Sequence, residues 1–193
     1  MREETKRRGR RLLHPLVNLL VAGRVSPTAV TLTAVPLSIG AAYLFATGSF
    51  VWGGVLVVLV GLCDTIDGEL SRTTGRKSDI GAFLDSSVDR FSEAVVLGAV
   101  YWYYQTINPF YGLVAVAALV FSLLVSYTRA RAEGVGYDCK VGWFERPVRV
   151  LIFLVGAFVL GQKYMPVALG IIAVGSFGTV VHRLVYVVQQ RKQ

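Results

Sequence analysis

Long apolar stretches alternate along the chain with short polar segments that contain glycine, proline or asparagine. Residues 25–63 carry no charged side chain, and several later stretches are also strongly apolar. An apolar helix needs roughly 17–25 residues to cross a bilayer. The pattern therefore predicts six transmembrane helices, near residues 28–46, 50–71, 80–103, 109–129, 147–161 and 166–188. We expect an all-α polytopic membrane protein in which residues 1–193 form a single domain.

The N-terminal segment has a different pattern. Residues 1–11 are crowded with Arg and Lys, and leucines and a valine recur at helical spacing over residues 12–20. Such a helix lies on a membrane surface with its basic side toward anionic headgroups. We expect residues 1–24 to form this interfacial amphipathic helix. A secretory signal peptide is less favoured, because no small-residue cleavage site with a polar region behind it is present.

Composition and charge support a membrane protein and give its orientation. Hydrophobic residues make up 54% of the chain, too many for an ordinary soluble domain of this length. Lys and Arg concentrate in alternate polar segments: the region before Arg24, residues 72–77, residues 129–149 and residues 191–192. The segments near residues 48, 108 and 162 carry only Lys163. Because basic loops stay inside, we expect a protein of the cytoplasmic membrane with both termini in the cytoplasm. The net charge of +8 then reflects topology, and no nucleic-acid partner is expected.

Four aspartates next to this apolar sequence carry the candidate chemistry. Asp64 and Asp67 are three residues apart, and Asp85 and Asp89 are four apart. In helices, each pair lies on one face. Two such faces turned toward each other would gather four carboxylates, whose repulsion must be relieved by cations. Clustered hard oxygen ligands suit Mg²⁺ or Mn²⁺. We expect two such ions, which would clamp a diphosphate and face the cytoplasm.

The stretch from Asp64 to Asp89 resembles the signature of the CDP-alcohol phosphotransferase family, D-x2-D-G-x2-A-R-x8-G-x3-D-x3-D, except that Ser71 replaces the usual Ala. Members of that family are integral membrane enzymes, often dimeric. They move a phosphatidyl or similar group from a CDP-activated lipid to an alcohol and release CMP. The resemblance implies that Asp64, Asp67 and Asp85 are metal ligands. It implies that Asp89 is a further ligand and the base that accepts the proton of the attacking hydroxyl. It also implies a homodimer.

The other signature residues are expected to bind the CDP-lipid: Gly68, Ser71, Arg72 and Gly81. The two glycines lie inside predicted helices, where glycine is less favourable than alanine by about 1 kcal/mol. Their missing side chains would make room for the nucleotide, although close helix packing is an alternative reason. Arg72 matches the family arginine and can make paired hydrogen bonds to a phosphate.

Residues 126–149 form a second informative stretch, which is rich in arginine. It resembles the subgroup of the family that uses inositol phosphate as the acceptor, with a small-x-Tyr-x-Lys/Arg-Ala-Arg-Ala-Glu run followed by Glu-Arg-Pro-x-Arg. An acceptor that already bears a phosphate needs a basic pocket. The resemblance implies that Arg129 and Arg146 hold that phosphate, with Arg183 as a third residue. We expect Arg131 to pair with Glu133.

The resemblance implies transfer from CDP-diacylglycerol or CDP-archaeol to a phosphorylated polyol, inositol phosphate in particular. The same chemistry with glycerol 3-phosphate or serine as the acceptor is the nearest alternative. A membrane prenyltransferase is a further alternative, although such enzymes are longer and have a different Asp pattern. A divalent-cation transporter or channel is the alternative that is not an enzyme.

Overall fold

The computed structural model describes residues 15–75 and 78–190. These residues are almost entirely helical, and no strand occurs among them. Parts of three predictions lie outside the described residues: residues 1–14 of the interfacial helix, the loop charges Arg76 and Lys77, and the C-terminal charges Arg191 and Lys192. The all-α fold predicted from the apolar pattern is confirmed.

Seven α-helices and one π-helical segment follow one another in the described part of the chain. They are α1 (residues 15–22 of its described part), α2 (Pro27–Ala46), α3 (Phe50–Thr74), α4 (Asp79–Gln105), α5 (Pro109–Gly134), α6 (Arg146–Val155), the π segment (Gly156–Leu160) and α7 (Gly161–Gln190). Five of the predicted crossings correspond to single helices, and the remaining one, near residues 147–161, corresponds to α6 together with the π segment. Helices α3 and α5 extend further toward the C-terminus than predicted. In both helices the apolar stretch used for the prediction ends before the helix does, because the polar and charged residues that follow are still helical.

Local sequence sets the starts of the helices that shape the site. Ser26 Oγ accepts a hydrogen bond from the backbone N–H of Ala29 at 3.2 Å, and Pro27 occupies the first turn of α2. Ser78 Oγ accepts the N–H of Gly81 at 3.0 Å at the start of α4. A side-chain oxygen before a helix satisfies a donor that has no partner within the helix. Proline fits the first turn because its missing N–H would be unpaired there.

Pro166 was predicted to begin the last helix, but α7 starts earlier, at Gly161, and continues through the proline. Proline lacks the N–H that would bond the carbonyl of Gln162. The hydroxyl of Tyr104 donates a hydrogen bond to that carbonyl instead. A long-range side chain therefore compensates for the helix bond that the proline removes.

Four helical runs are long and apolar enough to cross a membrane, by length and composition among the described residues: Pro27–Ala46, Phe50–Thr74, Pro109–Gly134 and Arg146–Gln190. The last run has 45 residues and includes α6, the π segment and α7. It is interrupted at Gly161, whose φ of +63° is not helical. Helix α4 is not among the four because five of its residues from Asp79 to Glu93 are charged. The chain is therefore an all-helical protein with membrane-spanning helices.

The described residues fall into two compact units. The first contains the residues up to Ile39 together with Leu56–Ser92, and the second contains Gly40–Val55 and the residues from Glu93 onward. In the first unit, Val17 of α1 is 1% exposed and packs with Val30 and Leu70. The apolar side of α1 thus packs on α2 and α3, and its contact on α3, Leu70, is three residues from Asp67.

The core of the second unit is built from aromatic rings and from the packing of α5 on α7. Phe45 contacts the rings of Phe50 and Phe153 at centroid distances of 5.3 and 5.2 Å. Phe121 of α5 contacts Phe177 of α7 at 5.2 Å. These contacts hold the helices that carry the arginines of the 126–149 stretch.

Candidate active site

Helices α3 and α4 bring together three of the four predicted aspartates. Ligand oxygens of Asp64, Asp67 and Asp85 all lie within 4.8 Å of one another. Asp67 is 5% exposed, and the other two are half-buried. The three-residue spacing places Asp64 and Asp67 on one face of α3, and packing of α4 against that face adds Asp85. We call these three residues the aspartate cluster.

Asp89 lies one helical turn beyond Asp85 on α4 and is not part of this close group among the described residues. Its Oδ2 is 3.4 Å from a guanidinium nitrogen of Arg90. Its predicted roles as a ligand and as the base stay predictions. Sequence reasoning did not single out Arg90, although a cation within a predicted membrane helix is an identifiable signal, because such residues are costly and need a partner.

Thr31 of α2 orients the buried member of the cluster. Its hydroxyl donates a hydrogen bond of 2.5 Å to Oδ2 of Asp67. Both residues are buried, at 7% and 5% exposed. A hydroxyl bonded to a carboxylate limits the rotation of that carboxylate, as outer-shell partners of metal ligands do. Sequence reasoning missed Thr31, because the bond joins residues that are 36 positions apart.

The chemistry of the cluster fits a divalent cation. Its donors are carboxylate oxygens alone, the ligands that Mg²⁺ and Mn²⁺ prefer. Three carboxylates within such a short range repel one another unless a cation compensates their charge. Asp64, Asp67 and Asp85 are therefore the residues that would hold the metal.

A cavity of about 390 Å³ opens beside the cluster within the first unit. Its walls come from the starts of α2 and α4 and from the last turns of α3: Pro27, Thr28, Thr31, Asp67, Gly68, Ser71, Arg72, Ser78, Asp79, Gly81, Ala82 and Asp85. All four residues predicted to bind the CDP-lipid line this cavity. Residues of the first turns of α2 and α4 are thus part of its wall, and the N-terminal end of a helix favours negative charge.

The surroundings of the two signature glycines differ. A Cβ on Gly68 would meet only the guanidinium of Arg72 within 4 Å, the nearest nitrogen at 3.6 Å. Close packing against another helix therefore does not explain this glycine. The missing side chain instead leaves space in the cavity beside Arg72. A Cβ on Gly81 would lie 3.0 Å from Ser78 Oγ, the hydroxyl that caps α4. Glycine at position 81 thus leaves room for the Ser78 hydroxyl, which caps α4 at the edge of the cavity.

Arg72 is held near the cavity by Glu69. Its Nε and one terminal nitrogen donate to the same Glu69 oxygen, at 3.1 and 2.8 Å. The Arg72 side chain remains 45% exposed. An exposed pair of this kind adds little stability, so Arg72 can exchange this partner for a phosphate at low cost. Sequence reasoning assigned no role to Glu69.

The arginines predicted to bind the acceptor phosphate lie in the second unit. Arg129 Nε donates to Glu133 Oε1 at 2.9 Å, so the expected pairing of Glu133 with Arg131 is wrong. Residues four apart share a helix face and residues two apart do not, and α5 remains helical through this stretch. Arg146 is the first residue of α6 and is half-buried.

Arg183 makes its contacts inside the fold. Its side chain is 3% exposed, and its Nε donates to the carbonyl of Val141 at 2.8 Å. A terminal nitrogen donates to the carbonyl of Val125, and the other is 3.9 Å from Glu145. Two donor groups of Arg183 are thus bonded to backbone carbonyls. Its predicted contact with the acceptor phosphate stays a prediction.

The geometry predicts that Thr31 tunes metal affinity. Thr31→Val keeps the shape of the side chain but removes the hydroxyl that orients Asp67, whereas Thr31→Ser keeps the hydroxyl. We expect Thr31→Val to weaken Mn²⁺ binding about 10- to 100-fold, the range typical of outer-shell partners. Electron paramagnetic resonance of Mn²⁺ titrated into purified protein measures the affinity directly. Equal Mn²⁺ affinity in the valine and serine variants would contradict this role.

Comparison with known proteins identifies the family of the chain. Residues 24–182 match the family model described as CDP-alcohol phosphatidyltransferase. The chain is 36% identical over 182 residues to a phosphatidylinositol phosphate synthase of Corynebacterium glutamicum. That alignment covers 90% of the chain and 83% of the relative. It is 34% identical to an archaetidylinositol phosphate synthase of Methanothermobacter thermautotrophicus, with 89% of each chain covered.

Solved structures agree with this assignment. The crystal structure of Mycobacterium tuberculosis phosphatidylinositol phosphate synthase with CDP-DAG bound matches at a TM-score of 0.85 and 30% identity, covering 92% of this chain and 94% of the other. The structure of that enzyme in complex with manganese and citrate matches at a TM-score of 0.82 and 30% identity, covering 90% and 87%. The chain belongs to the CDP-alcohol phosphatidyltransferase family.

Proposed function

We propose that this protein transfers a phosphatidyl-type group from a CDP-activated lipid to a hydroxyl of inositol phosphate and releases CMP. The observation that carries the proposal is the aspartate cluster on the same cavity as Gly68, Ser71, Arg72 and Gly81. The names of the relatives support the acceptor, because they are synthases of phosphatidylinositol phosphate and archaetidylinositol phosphate. The solved relative with CDP-DAG bound supports the donor.

The predicted aspartates and Arg72 divide the work of the transfer. Asp64, Asp67 and Asp85 would hold two divalent ions, Mg²⁺ or Mn²⁺. Such ions neutralise the diphosphate and stabilise the attacking and leaving oxygens. Arg72 binds a phosphate oxygen in place of Glu69. Asp89 accepts the proton of the acceptor hydroxyl. The hydroxyl oxygen bonds to the lipid-side phosphorus, the bond between the two phosphates breaks, and CMP leaves.

Arg129 and Arg146, with Arg183 as a third residue, bind the phosphate that the acceptor already carries. Guanidinium groups suit this task because their planar fork pairs with two phosphate oxygens. Arg129 is already paired with a carboxylate, that of Glu133. An acceptor phosphate would replace that carboxylate. Glycerol 3-phosphate would satisfy the same arginines, whereas serine would not.

The proposal includes the place of the enzyme in the cell. It is an integral protein of the cytoplasmic membrane with six crossings, in which α4 and the two helical parts of the run Arg146–Gln190 each cross once. Both termini and the aspartate cluster face the cytoplasm, which the basic segments support. A homodimer is part of the proposal, as the family resemblance implies.

A divalent-cation transporter or channel is less well supported. The cavity beside the aspartate cluster is lined by Arg72, whose positive charge would repel cations moving along it. The same charge favours a diphosphate. A purified-enzyme assay tests the proposal by following CMP release from CDP-diacylglycerol or CDP-archaeol with inositol phosphate and Mg²⁺. Absence of CMP release with both donors would refute it.

Removing one cluster carboxylate should abolish the reaction. We expect Asp85→Asn to lower the rate of CMP release at least about 100-fold, a larger loss than the 10- to 100-fold range of outer-shell partners. Asp79→Asn is the matched control, since Asp79 lines the same cavity but is outside the cluster. It should keep most of the activity. Comparable losses in both variants, or full activity in the presence of a chelator, would contradict the role of the cluster.

Removing a phosphate-binding arginine should affect one substrate only. Arg146→Ala loses a charge-assisted contact of about 1.5–3 kcal/mol, so the kcat/KM for inositol phosphate should fall roughly 10- to 100-fold. The KM for the CDP-lipid should change little. Arg131→Ala, an exposed arginine of the same stretch, is the control. Steady-state kinetics with each substrate varied in turn measures both constants, and an unchanged acceptor KM would move the proposal toward serine or an uncharged polyol.

Labelling of single cysteines tests the orientation. In a chain whose own Cys63 and Cys139 are replaced by alanine, we expect Thr106→Cys to react with an impermeant maleimide added to intact cells. Asp138→Cys should react only after the cells are opened, because it lies in a basic segment expected inside. Both sites are exposed. The reverse pattern would place the basic segments outside.

A further inference from the structure

The loop of residues 135–145, which leads into α6, packs on one side of α7. Three residues of α7 spaced one turn apart meet this loop. A Cβ on Gly175 would lie 2.3 Å from the ring of Phe144, so the ring occupies the space that only glycine leaves. Thr179 Oγ1 accepts the backbone N–H of Phe144 at 3.2 Å. Arg183 Nε donates to the carbonyl of Val141 at 2.8 Å. We call Gly175, Thr179 and Arg183 the α7 cradle.

Thr179 is the centre of the cradle. It is 4% exposed, and its hydroxyl donates to the carbonyl of Gly175 at 2.9 Å while it accepts from the loop. Gly142 of the loop passes over it with a φ of +113°, and a Cβ there would lie 2.4 Å from Thr179 Cγ2. This backbone path therefore requires glycine both for its conformation and for its closeness to Thr179.

Arg149 of α6 also forms a hydrogen bond with the loop residue Phe144. Its side chain is 2% exposed, and one terminal nitrogen donates to the carbonyl of Phe144 at 2.9 Å. Its Nε and other terminal nitrogen donate to Glu93 at 3.1 and 2.9 Å. Both backbone groups of Phe144 are thus bonded to buried side chains, two residues before Arg146.

We propose that the α7 cradle is a positioning device for the acceptor, and that Thr179 acts on acceptor binding through Arg146. The proposal rests on the proposed role of Arg146 in binding the acceptor phosphate. A loop without regular secondary structure would lose conformational freedom if it had to become ordered when Arg146, the helix residue that follows it, bound a ligand. The α7 cradle already holds the loop in one conformation in the folded protein. Acceptor binding therefore does not have to order the loop, and its entropic cost is lower.

Two variants of Thr179 separate its hydroxyl from its shape. Thr179→Val removes the acceptor of the Phe144 N–H, and Thr179→Ser keeps it. We expect Thr179→Val to raise the KM for inositol phosphate about 3- to 10-fold, as loss of one hydrogen bond does. The KM for the CDP-lipid and kcat should stay within about twofold of the parent. Thr179→Ser should restore the acceptor KM.

Thr47→Val is the control. Thr47 follows α2, and its hydroxyl donates to the carbonyls of Tyr43 and Leu44 at 3.0 and 3.1 Å rather than to a residue of this loop. The Thr47→Val variant should leave both KM values unchanged. The melting temperature of each variant is measured in the same detergent. A Thr179→Val protein with a lowered melting temperature and an equal rise in both KM values would show a structural role only and overturn the proposal.

A double-mutant cycle tests whether Thr179 acts through Arg146. If it does, Thr179→Val should add little to the acceptor KM in an Arg146→Ala background. Additive effects would overturn the proposal. If Arg146→Ala alone leaves the acceptor KM unchanged, the proposed function of Arg146 fails. If Arg146→Ala raises it and Thr179→Val does not, the cradle proposal fails alone.

Discussion

The repulsion among three carboxylates is the constraint on which the site depends. Asp64, Asp67 and Asp85 keep their ligand oxygens within 4.8 Å of one another, although most of the residues that helices α2 to α4 bury are apolar. Negative charges at such separation destabilise a fold unless a cation or hydrogen-bond donors compensate them. Thr31 supplies one donor to the buried Asp67. Three carboxylates gathered in this way make the cluster the natural place for a divalent cation and for an anionic substrate bound to it.

The cavity beside the cluster follows from how two helices begin and from the missing side chain of Gly68. Serine and proline start α2, and Ser78 caps α4, so the donor-rich first turns of both helices line the cavity. Gly68 leaves its floor open next to Arg72. Each feature favours negative charge or leaves room for it. A cavity built in this way suits the diphosphate of a CDP-linked lipid, in agreement with family membership.

Exposed and buried arginines serve different purposes in this protein. Arg72 is 45% exposed and bonded to one carboxylate, a state from which it can move to a phosphate. Arg149 and Arg183 are 2% and 3% exposed and bond backbone carbonyls and carboxylates of the fold. A buried guanidinium is costly unless its donors are satisfied. Losing either one would therefore damage the fold as well as any function it has, whereas Arg72 is free of this constraint.

Much of the fold and the outline of the site could be predicted from the sequence, because both depend on short-range periodicity. The apolar stretches indicated every long helix, and the spacing of Asp64 and Asp67 placed both on one face. Sequence reasoning paired Glu133 with the wrong arginine, although helical geometry alone favours Arg129. Tertiary structure decided the contacts between residues far apart in the chain, such as Thr31 with Asp67 and the loop on Thr179. No local pattern encodes these contacts, since they exist only once the helices have packed.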